Sequence, residues 1–361
     1  MNKRLLLDMS MLKYYYTGLG QFSYFLGQSL FSMSPASYEY HILRFPDAKD
    51  YFPHSNIHNH DMTVWRRIAA KRQLPYLFRS FDLWHILSQN SHYFPFHTQS
   101  PFLFTVHDVH FLFMENGKQR EFMKNLMQKK LDHATRITAI SQRVKNDLES
   151  HFLLREKSID VIYNGVEYRH FPDATAPVFC EHDMPFLLTL GTVTRRKNIH
   201  VLLDMMVHLP TYRLYIGGTI ADADYGAEMI QTIENNGLTE RILFTGTMSD
   251  EDKYYCYTHC EAVVFPSLME GFGMPVIEAF LAGKPVFCSA LTSLPEIGGE
   301  LAYYWHTFAP ETMALVVQEG LRQSSEQPTL SAQRKHYAER FSWSTSAAEY
   351  LQLYEELLSL R

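Results

Sequence analysis

The strongest constraint on the fold is a regular alternation of short apolar runs with amphipathic stretches. The apolar runs predict strands at RLLLDM, YHILRF, LWHIL, FLFTVHD, RITAIS and IDVIYN in the first half, and at FLLTLG, YRLYIGG, RILFTG, AVVFPS and PVFCS in the second. Between them, apolar spacing predicts helices over 21–32, 119–133, 142–152, 199–209, 227–236, 250–257 and 275–281. Strand-helix alternation on this scale forms parallel sheets with helices on both faces, so the fold class is α/β.

The length of the chain predicts two doubly wound domains. At roughly 150 residues per domain, 361 residues make two, and the aperiodic stretch FPDATAPVFCEHDMP (171–185), with three prolines, is the best candidate for a link. We place a first Rossmann-like domain at 1–172 and a second at 173–341. Ligands of such sheets bind beyond the carboxyl ends of the strands, which predicts a site in the interdomain cleft.

Composition favours a cytoplasmic protein. Lys3 and Arg4 resemble the start of a signal peptide, but only three leucines follow them, and no run of 18 apolar residues occurs. The four cysteines, Cys180, Cys256, Cys260 and Cys288, are too few and too scattered for a disulfide framework. We therefore expect a reduced chain that is neither secreted nor membrane-spanning.

The net charge of −6 conceals an asymmetry. Residues 1–170 hold 21 Lys and Arg against 15 Asp and Glu (+6), and residues 171–361 hold 12 against 24 (−12). Part of the basic excess lies in the segment 66–79, where apolar residues lie between the cations: Arg66, Arg67, Lys71, Arg72 and Arg79. This pattern is typical of a helix on an anionic membrane surface, where each cation adds about 1 kcal/mol, and equally of a solvated helix with a core-facing stripe. We expect no nucleic-acid partner.

The segment LMEGFGMPVIEAFLAGKPV (268–286) places Glu270 and Glu278 around a Gly-Phe-Gly turn after a predicted strand. Pro275 has the φ favoured at a first helical position, so a helix N-terminus presents the amides of Phe272, Gly273 and Met274 to negative charge. Glu278 can accept two hydrogen bonds from a vicinal diol such as ribose. Glu270 can accept hydrogen bonds from hydroxyls at the other end of the same ligand. Singly each acid would be an ordinary surface or helix-terminal charge; the pair favours a ligand that is anionic in the middle.

The turn GTVTRRKN places three cations, Arg195, Arg196 and Lys197, just before a predicted helix. Cations at a helix start oppose the macrodipole unless an anion is bound there. A diphosphate would resolve this conflict, and a solvated basic turn is the alternative.

The glycines of YYYTGLGQFSYFL (14–26) allow a tight turn and a close backbone approach to a phosphate. Ser23 stands at the third glycine position of the dinucleotide fingerprint, so this signal is weak by itself.

Two groups of residues could bind a metal, but neither is favoured. Asp222 and Asp224 form an Asp-x-Asp pair of the kind that binds metal ions, but the acidic loop after YIGG lacks the context of such a site. HSNIHNHD and HDVH offer five histidines, although the first segment reads as a polar loop contacting acceptor or solvent: His54, His58, His60, His107 and His110.

The chain resembles, over nearly its whole length, the retaining family 4 glycosyltransferases of the GT-B architecture, which use nucleotide-sugar donors. The resemblance is carried by TGLGQFSYFL, TVHD, TAISQRVKNDL, VIYNGVE, GTVTRRKN, FTGTMSDEDKYYCY and FPSLMEGFGMPVIEAFLAGKPVFCSALTSLPEIGGE. It implies two Rossmann-like domains, a cleft, and a C-terminal helix over 342–361 that crosses back to the first domain.

The resemblance also implies residue roles. Glu278 would hold the ribose, Arg196 and Lys197 the diphosphate, and the Met248 backbone the base. Glu270, with the amides of Phe272, Gly273 and Met274, would hold the sugar; Gly20 would approach the distal phosphate, and His107 would lie by the sugar. Arg195, Thr192 and Trp305-His306 depart from the family's pattern.

The implied reaction moves a hexosyl group from a GDP- or UDP-sugar to a saccharide or lipid-linked saccharide acceptor, in surface polysaccharide or lipopolysaccharide synthesis. Arg196, Lys197 and helix ends can stabilise the leaving diphosphate without a metal or cofactor. A sugar-nucleotide epimerase or hydrolase, or a non-catalytic sensor, on the same frame is the alternative.

Overall fold

The computed structural model describes residues 2–45, 49–52, 57–61, 81–91, 100–113, 116–180 and 184–360. The chain divides into two compact units, Met1–Gly165 with Phe341–Arg361, and Val166–Arg340. The boundaries predicted at 172/173 and 341/342 lie at 165/166 and 340/341 in this division. The cationic segment 66–79 falls outside the described residues, so its membrane hypothesis stays a prediction.

The first unit contains a seven-stranded parallel sheet with the order β3-β2-β1-β4-β5-β6-β7. Its strands are β1 (Lys3–Asp8), β2 (Tyr38–Arg44), β3 (Ile57–Asp61), β4 (Leu83–Ile86), β5 (Phe102–Val106), β6 (Arg136–Ala139) and β7 (Ile159–Val161). Its first helices are α1 (Gly18–Met33), α2 (Gly117–His133) and α3 (Gln142–His151). The central strands β4 and β5 are buried at every residue, as parallel strands covered on both faces must be.

The second unit contains a six-stranded parallel sheet with the order β10-β9-β8-β11-β12-β13. Its strands are β8 (Phe186–Leu190), β9 (Arg213–Gly217), β10 (Ile242–Gly246), β11 (Ala262–Phe265), β12 (Val286–Ser289) and β13 (Tyr303–Trp305). Its helices are α4 (His200–Val207), α5 (Ala223–Asn235), α6 (Asp250–His259), α7 (Met274–Leu281), α8 (Leu294–Gly298), α9 (Pro310–Glu326) and α10 (Thr329–Ala338).

The last helix, α11 (Trp343–Ser359), belongs to the first unit, which confirms the predicted crossover. The Trp343 ring packs 5.7 Å from that of Phe22 on α1, and the Tyr350 hydroxyl lies 3.1 Å from that of Thr105 on β5. None of the described helices is both long and apolar enough to cross a bilayer.

Two strands were missed from the sequence, β3 and β13. The segment HSNIHNHD was predicted as a polar loop, which is wrong for its second half, because β3 is an edge strand on which only Ile57 is buried. An edge strand exposed in this way has no apolar alternation to reveal it. Helix α1 also begins three residues earlier than predicted, because the Thr17 side chain caps it by accepting from the Gly20 amide.

Candidate functional site

The carboxyl ends of β8 and β11 mark the point where the strand order of the second sheet reverses. The turn after β8 carries Arg195–Lys197, and the loop after β11 carries Glu270. The two strands are hydrogen-bonded neighbours, so these loops meet at the same edge of the sheet. Ligands of doubly wound sheets bind at such a switch point.

Glu270 is held at this point by three side chains. Lys197 Nζ and Ser267 Oγ each donate to Glu270 Oε1 at 2.6 Å, and Arg196 Nη1 lies 3.6 Å from Oε2. The Glu270 amide donates to Thr292 Oγ1 at 3.0 Å, which fixes the loop backbone. The structure therefore brings together three residues predicted from two separate motifs: Arg196 and Lys197 from one, and Glu270 from the other.

The Glu270–Lys197 pair is largely buried, with side chains 11% and 14% exposed. Burial works against ionisation of Glu270, but the charges of Lys197 and Arg196 outweigh it and hold the pKa of the Glu270 carboxyl below its ordinary value. Burial lowers the pKa of the Lys197 ammonium, and Glu270 opposes that effect. A preformed ion pair of this kind can exchange partners with an anionic, hydroxyl-rich ligand.

Arg195 does not share this site. Its guanidinium donates to both carboxylate oxygens of Glu228 on α5, at 3.0 and 2.6 Å, and lies 3.6 Å from Asp222. Each of the three cations therefore has an acidic partner in the protein, so the carboxylates of Glu228 and Glu270 offset positive charge at this turn. Asp222 itself caps α5 by accepting from the Tyr225 amide at 3.0 Å, which accounts for one acid of the Asp222–Asp224 pair.

Glu278 lies in α7 and is buried, with 5% of its surface exposed. Lys253 Nζ contacts Oε1, and the Tyr257 hydroxyl donates to Oε2 at 2.5 Å. Burial raises the pKa of Tyr257 well above its ordinary value, so the phenol stays protonated and donates. A diol would reach this carboxylate by sharing it with, or displacing, Lys253, whose side chain is 29% exposed.

Sequence reasoning missed Lys253 and Tyr257. Both lie on α6, in the segment DEDKYYCY, whose charges look like a solvated helical face. The available signal was Glu278 itself, because a carboxylate in a largely apolar helix needs a cation or a hydroxyl beside it.

The turn before α7 depends on Gly273, which has φ +116°. A Cβ there would lie 2.7 Å from Leu294 Cδ2. Pro275 has no N–H, and the Val276 amide bonds back to the Gly273 carbonyl at 3.0 Å. Among the described residues, no partner accepts from the amides of Gly273 and Met274, which leaves them available at the helix N-terminus.

Replacing Gly273 with alanine is expected to destabilise the second unit by about 1–3 kcal/mol, because φ is left-handed and the new methyl group meets Leu294. Urea denaturation measures the change. Gly117→Ala is the matched control, since Gly117 has ordinary φ and its nearest neighbour is 3.8 Å away. An unchanged midpoint for Gly273→Ala would contradict the strained-turn interpretation.

Met248 lies in the turn between β10 and α6, half-buried, with its side chain beside Gly217 at the end of β9. It is thus at the carboxyl edge of the second sheet. Its backbone contact with a base stays a prediction.

Gly20 lies in the first unit, in the first turn of α1. A Cβ at this position would lie 2.1 Å from the Tyr14 carbonyl oxygen, so close packing alone requires glycine here. Its amide already donates to Thr17 Oγ1 at 3.3 Å. The approach of Gly20 to a phosphate stays a prediction.

His107 follows β5 and is buried. Its Nε2 lies 2.8 Å from the Leu87 carbonyl oxygen, which can only accept, so Nε2 carries the proton and Nδ1 is the acceptor nitrogen. Its amide donates to Gln89 Oε1 at 3.0 Å. Burial lowers the pKa of His107 to about 4, so the ring is neutral at physiological pH.

A buried polar network that the sequence did not reveal holds the loops around His107. Lys130 Nζ donates to the carbonyl oxygens of Gln89 and Ser91 at 2.7 and 2.9 Å, and the Ser91 hydroxyl donates to Asp8 at the end of β1. Burial lowers the pKa of Lys130 to about 8. The network links loops after β1, β4 and β5 through one side chain of α2.

The first unit is expected to lose stability as the pH falls below about 6.5. Burial lowers the pKa of His107 to about 4 and of His85 to about 3, so an unfolded chain binds protons there that the folded chain does not. Each such histidine costs up to about 1.4 kcal/mol per pH unit as the pH falls. Urea denaturation from pH 7.5 to 5 measures this slope. His107→Gln should reduce it and the exposed His336→Gln should not; equal slopes in all three proteins would contradict the assignment.

The other histidines and the tryptophan singled out from the sequence have no hydrogen bond or ion pair with Glu270, Glu278 or His107 among the described residues. His110 contacts Asp108 at 2.5 Å after β5, and His58 and His60 lie on β3. His54 falls outside the described residues. Trp305 is a core residue whose indole donates to the Met313 carbonyl at 3.2 Å.

Two family models match the chain. Residues 34–169 match Glycosyltransferase Family 4, and residues 176–339 match Glycosyl transferases group 1. The chain is 27% identical over 247 residues to O-antigen chain mannosyltransferase B of Escherichia coli, covering 65% of this chain and 64% of the relative. It is 28% identical over 179 residues to serotype-specific mannosyltransferase WbdA of Escherichia coli, covering 48% of this chain and 22% of WbdA. The matches thus span less than two thirds of these relatives.

Solved structures show the same fold. Sucrose-phosphate synthase from Thermosynechococcus elongatus superposes with a TM-score of 0.81 at 19% identity, covering all of both chains. Anabaena HepE in complex with UDP and glucose gives 0.75 at 17% identity, covering 98% of this chain and 100% of HepE. Neither family model and none of these relatives is an epimerase or hydrolase, so the comparisons do not support that alternative.

Proposed function

Since the chain belongs to the family 4 glycosyltransferases, we propose that it is a retaining glycosyltransferase. It moves a hexosyl group from a nucleoside-diphosphate sugar to a saccharide or lipid-linked saccharide in surface polysaccharide assembly. Relatives named as O-antigen mannosyltransferases make mannose the first sugar to test. GDP-mannose is the first donor to test, and a UDP-sugar is the second.

The proposal rests on two largely buried carboxylates, one in the switch-point loop and one on the helix that follows it, each held by a lysine. Glu278, held by Lys253, binds the ribose diol, and Glu270, held by Lys197, binds sugar hydroxyls. A bound diphosphate takes over Lys197 and Arg196, which frees Glu270 for the sugar. The amides of Phe272, Gly273 and Met274 bind the sugar beside Glu270, and the Met248 backbone contacts the base.

The chemistry needs charge stabilisation rather than a protein nucleophile. Arg196, Lys197 and the N-terminus of α7 stabilise the negative charge that grows on the departing diphosphate, without a metal or cofactor. The acceptor attacks the same face of the sugar, and the departing phosphate takes its proton. His107 Nδ1 accepts a hydrogen bond from a sugar hydroxyl, because Nε2–H already donates to the Leu87 carbonyl oxygen. Gly20 approaches the distal phosphate.

We also propose a cytoplasmic enzyme that lies peripherally on the membrane through the basic segment 66–79. The positive balance of residues 1–170 supports an anionic acceptor such as a lipid-linked diphosphate saccharide. Co-sedimentation with anionic and neutral vesicles at low and high salt tests this. Vesicle binding that depends on neither lipid charge nor salt concentration would contradict the proposed membrane contact.

A thermal-shift panel of GDP-, UDP- and ADP-sugars tests the donor class. The true donor at about 100 times its dissociation constant should stabilise the chain by about 2.7 kcal/mol. Incubation of that donor without acceptor should leave its sugar unchanged apart from slow hydrolysis. Rapid epimerisation in the absence of acceptor would overturn the proposed transfer.

A further inference from the structure

A cluster of histidines and one glutamate lies on one face of the first sheet, near its β3 edge. Register pairs Arg4 with Glu39 and His41 with His58, so these residues share a face. Strand alternation adds His60, two residues beyond His58, to the same face. None of these side chains belongs to the donor-binding set around Glu270 and Glu278.

The atoms of this cluster converge on a small volume. Glu39 Oε1 lies 3.0 Å from His41 Nε2 and 3.2 Å from His58 Nε2, and the three ligand atoms all lie within 4.8 Å of one another. Bonds of 2.0–2.1 Å in a tetrahedral site place ligand atoms about 3.3 Å apart. The two separations from Glu39 match this value, and the separation of the two histidine nitrogens, within 4.8 Å, can shorten when the partly exposed His58 ring turns toward an ion. The three ligands would leave a fourth position for water.

His60 completes the arrangement from the other side of His41. His41 Nδ1 lies 2.9 Å from His60 Nε2, so the second ring nitrogen of the central histidine is already hydrogen-bonded. Metal-binding histidines characteristically have such a partner, which fixes the ring's orientation and tautomer. The His41 ring also stacks on the His58 ring and meets the Phe81 ring edge-on, with centroid separations of 4.8 and 4.9 Å.

One group opposes a cation here. Arg4 Nε lies 3.4 Å from His41 Nε2, with the guanidinium 5.2 Å from the centroid of the Phe81 ring. An ion bound to His41 must displace this contact. Arg4 therefore weakens metal binding although it is not itself a ligand. Replacing it with an uncharged residue should raise the affinity for the ion.

We propose that Glu39, His41 and His58 bind a divalent transition-metal ion, with Zn²⁺ the best match to one carboxylate and two imidazoles. His60 acts as the positioning residue for His41. The His58 side chain is 48% exposed, which gives the ion access, whereas His41 is 5% exposed and anchors the site. The ion would join β2 to the edge strand β3.

Titration of the chelator-treated full-length chain with Zn²⁺ tests the proposal, with Co²⁺ absorption reporting coordination geometry. We expect one Zn²⁺ per chain, a tetrahedral Co²⁺ spectrum and a raised melting temperature. His58→Ala and Glu39→Gln, both at partly exposed positions, should abolish these signals. His60→Gln should weaken Zn²⁺ binding about 10- to 100-fold, and Arg4→Met should tighten it.

His110→Gln, which removes a histidine of the same unit outside the cluster, is the matched control and should bind Zn²⁺ like the wild type. The proposal is overturned if the wild-type chain binds no Zn²⁺. It is also overturned if His58→Ala and Glu39→Gln bind as tightly as wild type, because the ion then lies elsewhere, for example at a cysteine.

Discussion

Replacing Glu270 with glutamine is expected to lower kcat/KM about 10²- to 10³-fold, the range seen when one preorganised polar contact to the reacting group is lost. Glutamine keeps the size and one acceptor oxygen of glutamate but loses the charge that holds Lys197 at 2.6 Å. The sugar then loses a charged acceptor for its hydroxyls. Steady-state kinetics with the donor found in the panel measures the effect.

Loss of stability must be separated from loss of catalysis in this variant. Removing one partner of a largely buried ion pair costs about 3–5 kcal/mol. The double variant Glu270→Gln, Lys197→Met removes both charges, so it should regain most of that stability while remaining inactive. Glu228→Gln, which breaks the exposed pair with Arg195, is the matched control and should keep full activity. Recovery of activity in the double variant would show that Glu270 serves only the fold.

Replacing Lys197 with methionine is expected to weaken donor binding roughly 10- to 150-fold, since a charge-assisted hydrogen bond contributes about 1.5 to 3 kcal/mol. The free nucleoside should lose little affinity, because it has no diphosphate. Calorimetric titration with the nucleoside diphosphate and the nucleoside measures both.

The neighbouring cation supplies the control for this prediction. Arg195 lies two residues earlier in the same turn, but Glu228 and Asp222 hold its guanidinium. Arg195→Gln should therefore leave the diphosphate affinity close to that of wild type, because this exposed guanidinium is already held by acidic side chains. Equal losses in the two variants would mean that general positive charge, and not Lys197, binds the diphosphate.

The sequence predicted most of the fold because its strands are continuous apolar runs and its helices are amphipathic. It failed at β3, whose polar residues HNHD carry no alternation that separates an edge strand from a loop. The approach of Gly20 to a phosphate stays a prediction, because packing against Tyr14 is by itself sufficient to require glycine there.

The candidate site was predicted residue by residue but not as an assembly. Glu270 and Lys197 are 73 positions apart, and their contact follows from the pairing of β8 with β11, which local pattern does not encode. Lys253 was missed for a related reason. Its partner Glu278 is 25 positions away, on a helix that the structure sets beside α6.

The central claim is that the second unit binds a nucleotide through a ribose diol at Glu278 and a diphosphate at Lys197. Calorimetric titration of the chain and its Glu278→Gln variant with a ribonucleoside diphosphate and its 2′-deoxy analogue tests this directly. We expect the wild-type chain to prefer the ribonucleotide at least about tenfold, which corresponds to 1.4 kcal/mol for one lost hydrogen bond to a charged group, and the variant to bind both equally weakly. The same preference in both proteins, or no binding of any nucleoside diphosphate, would contradict it.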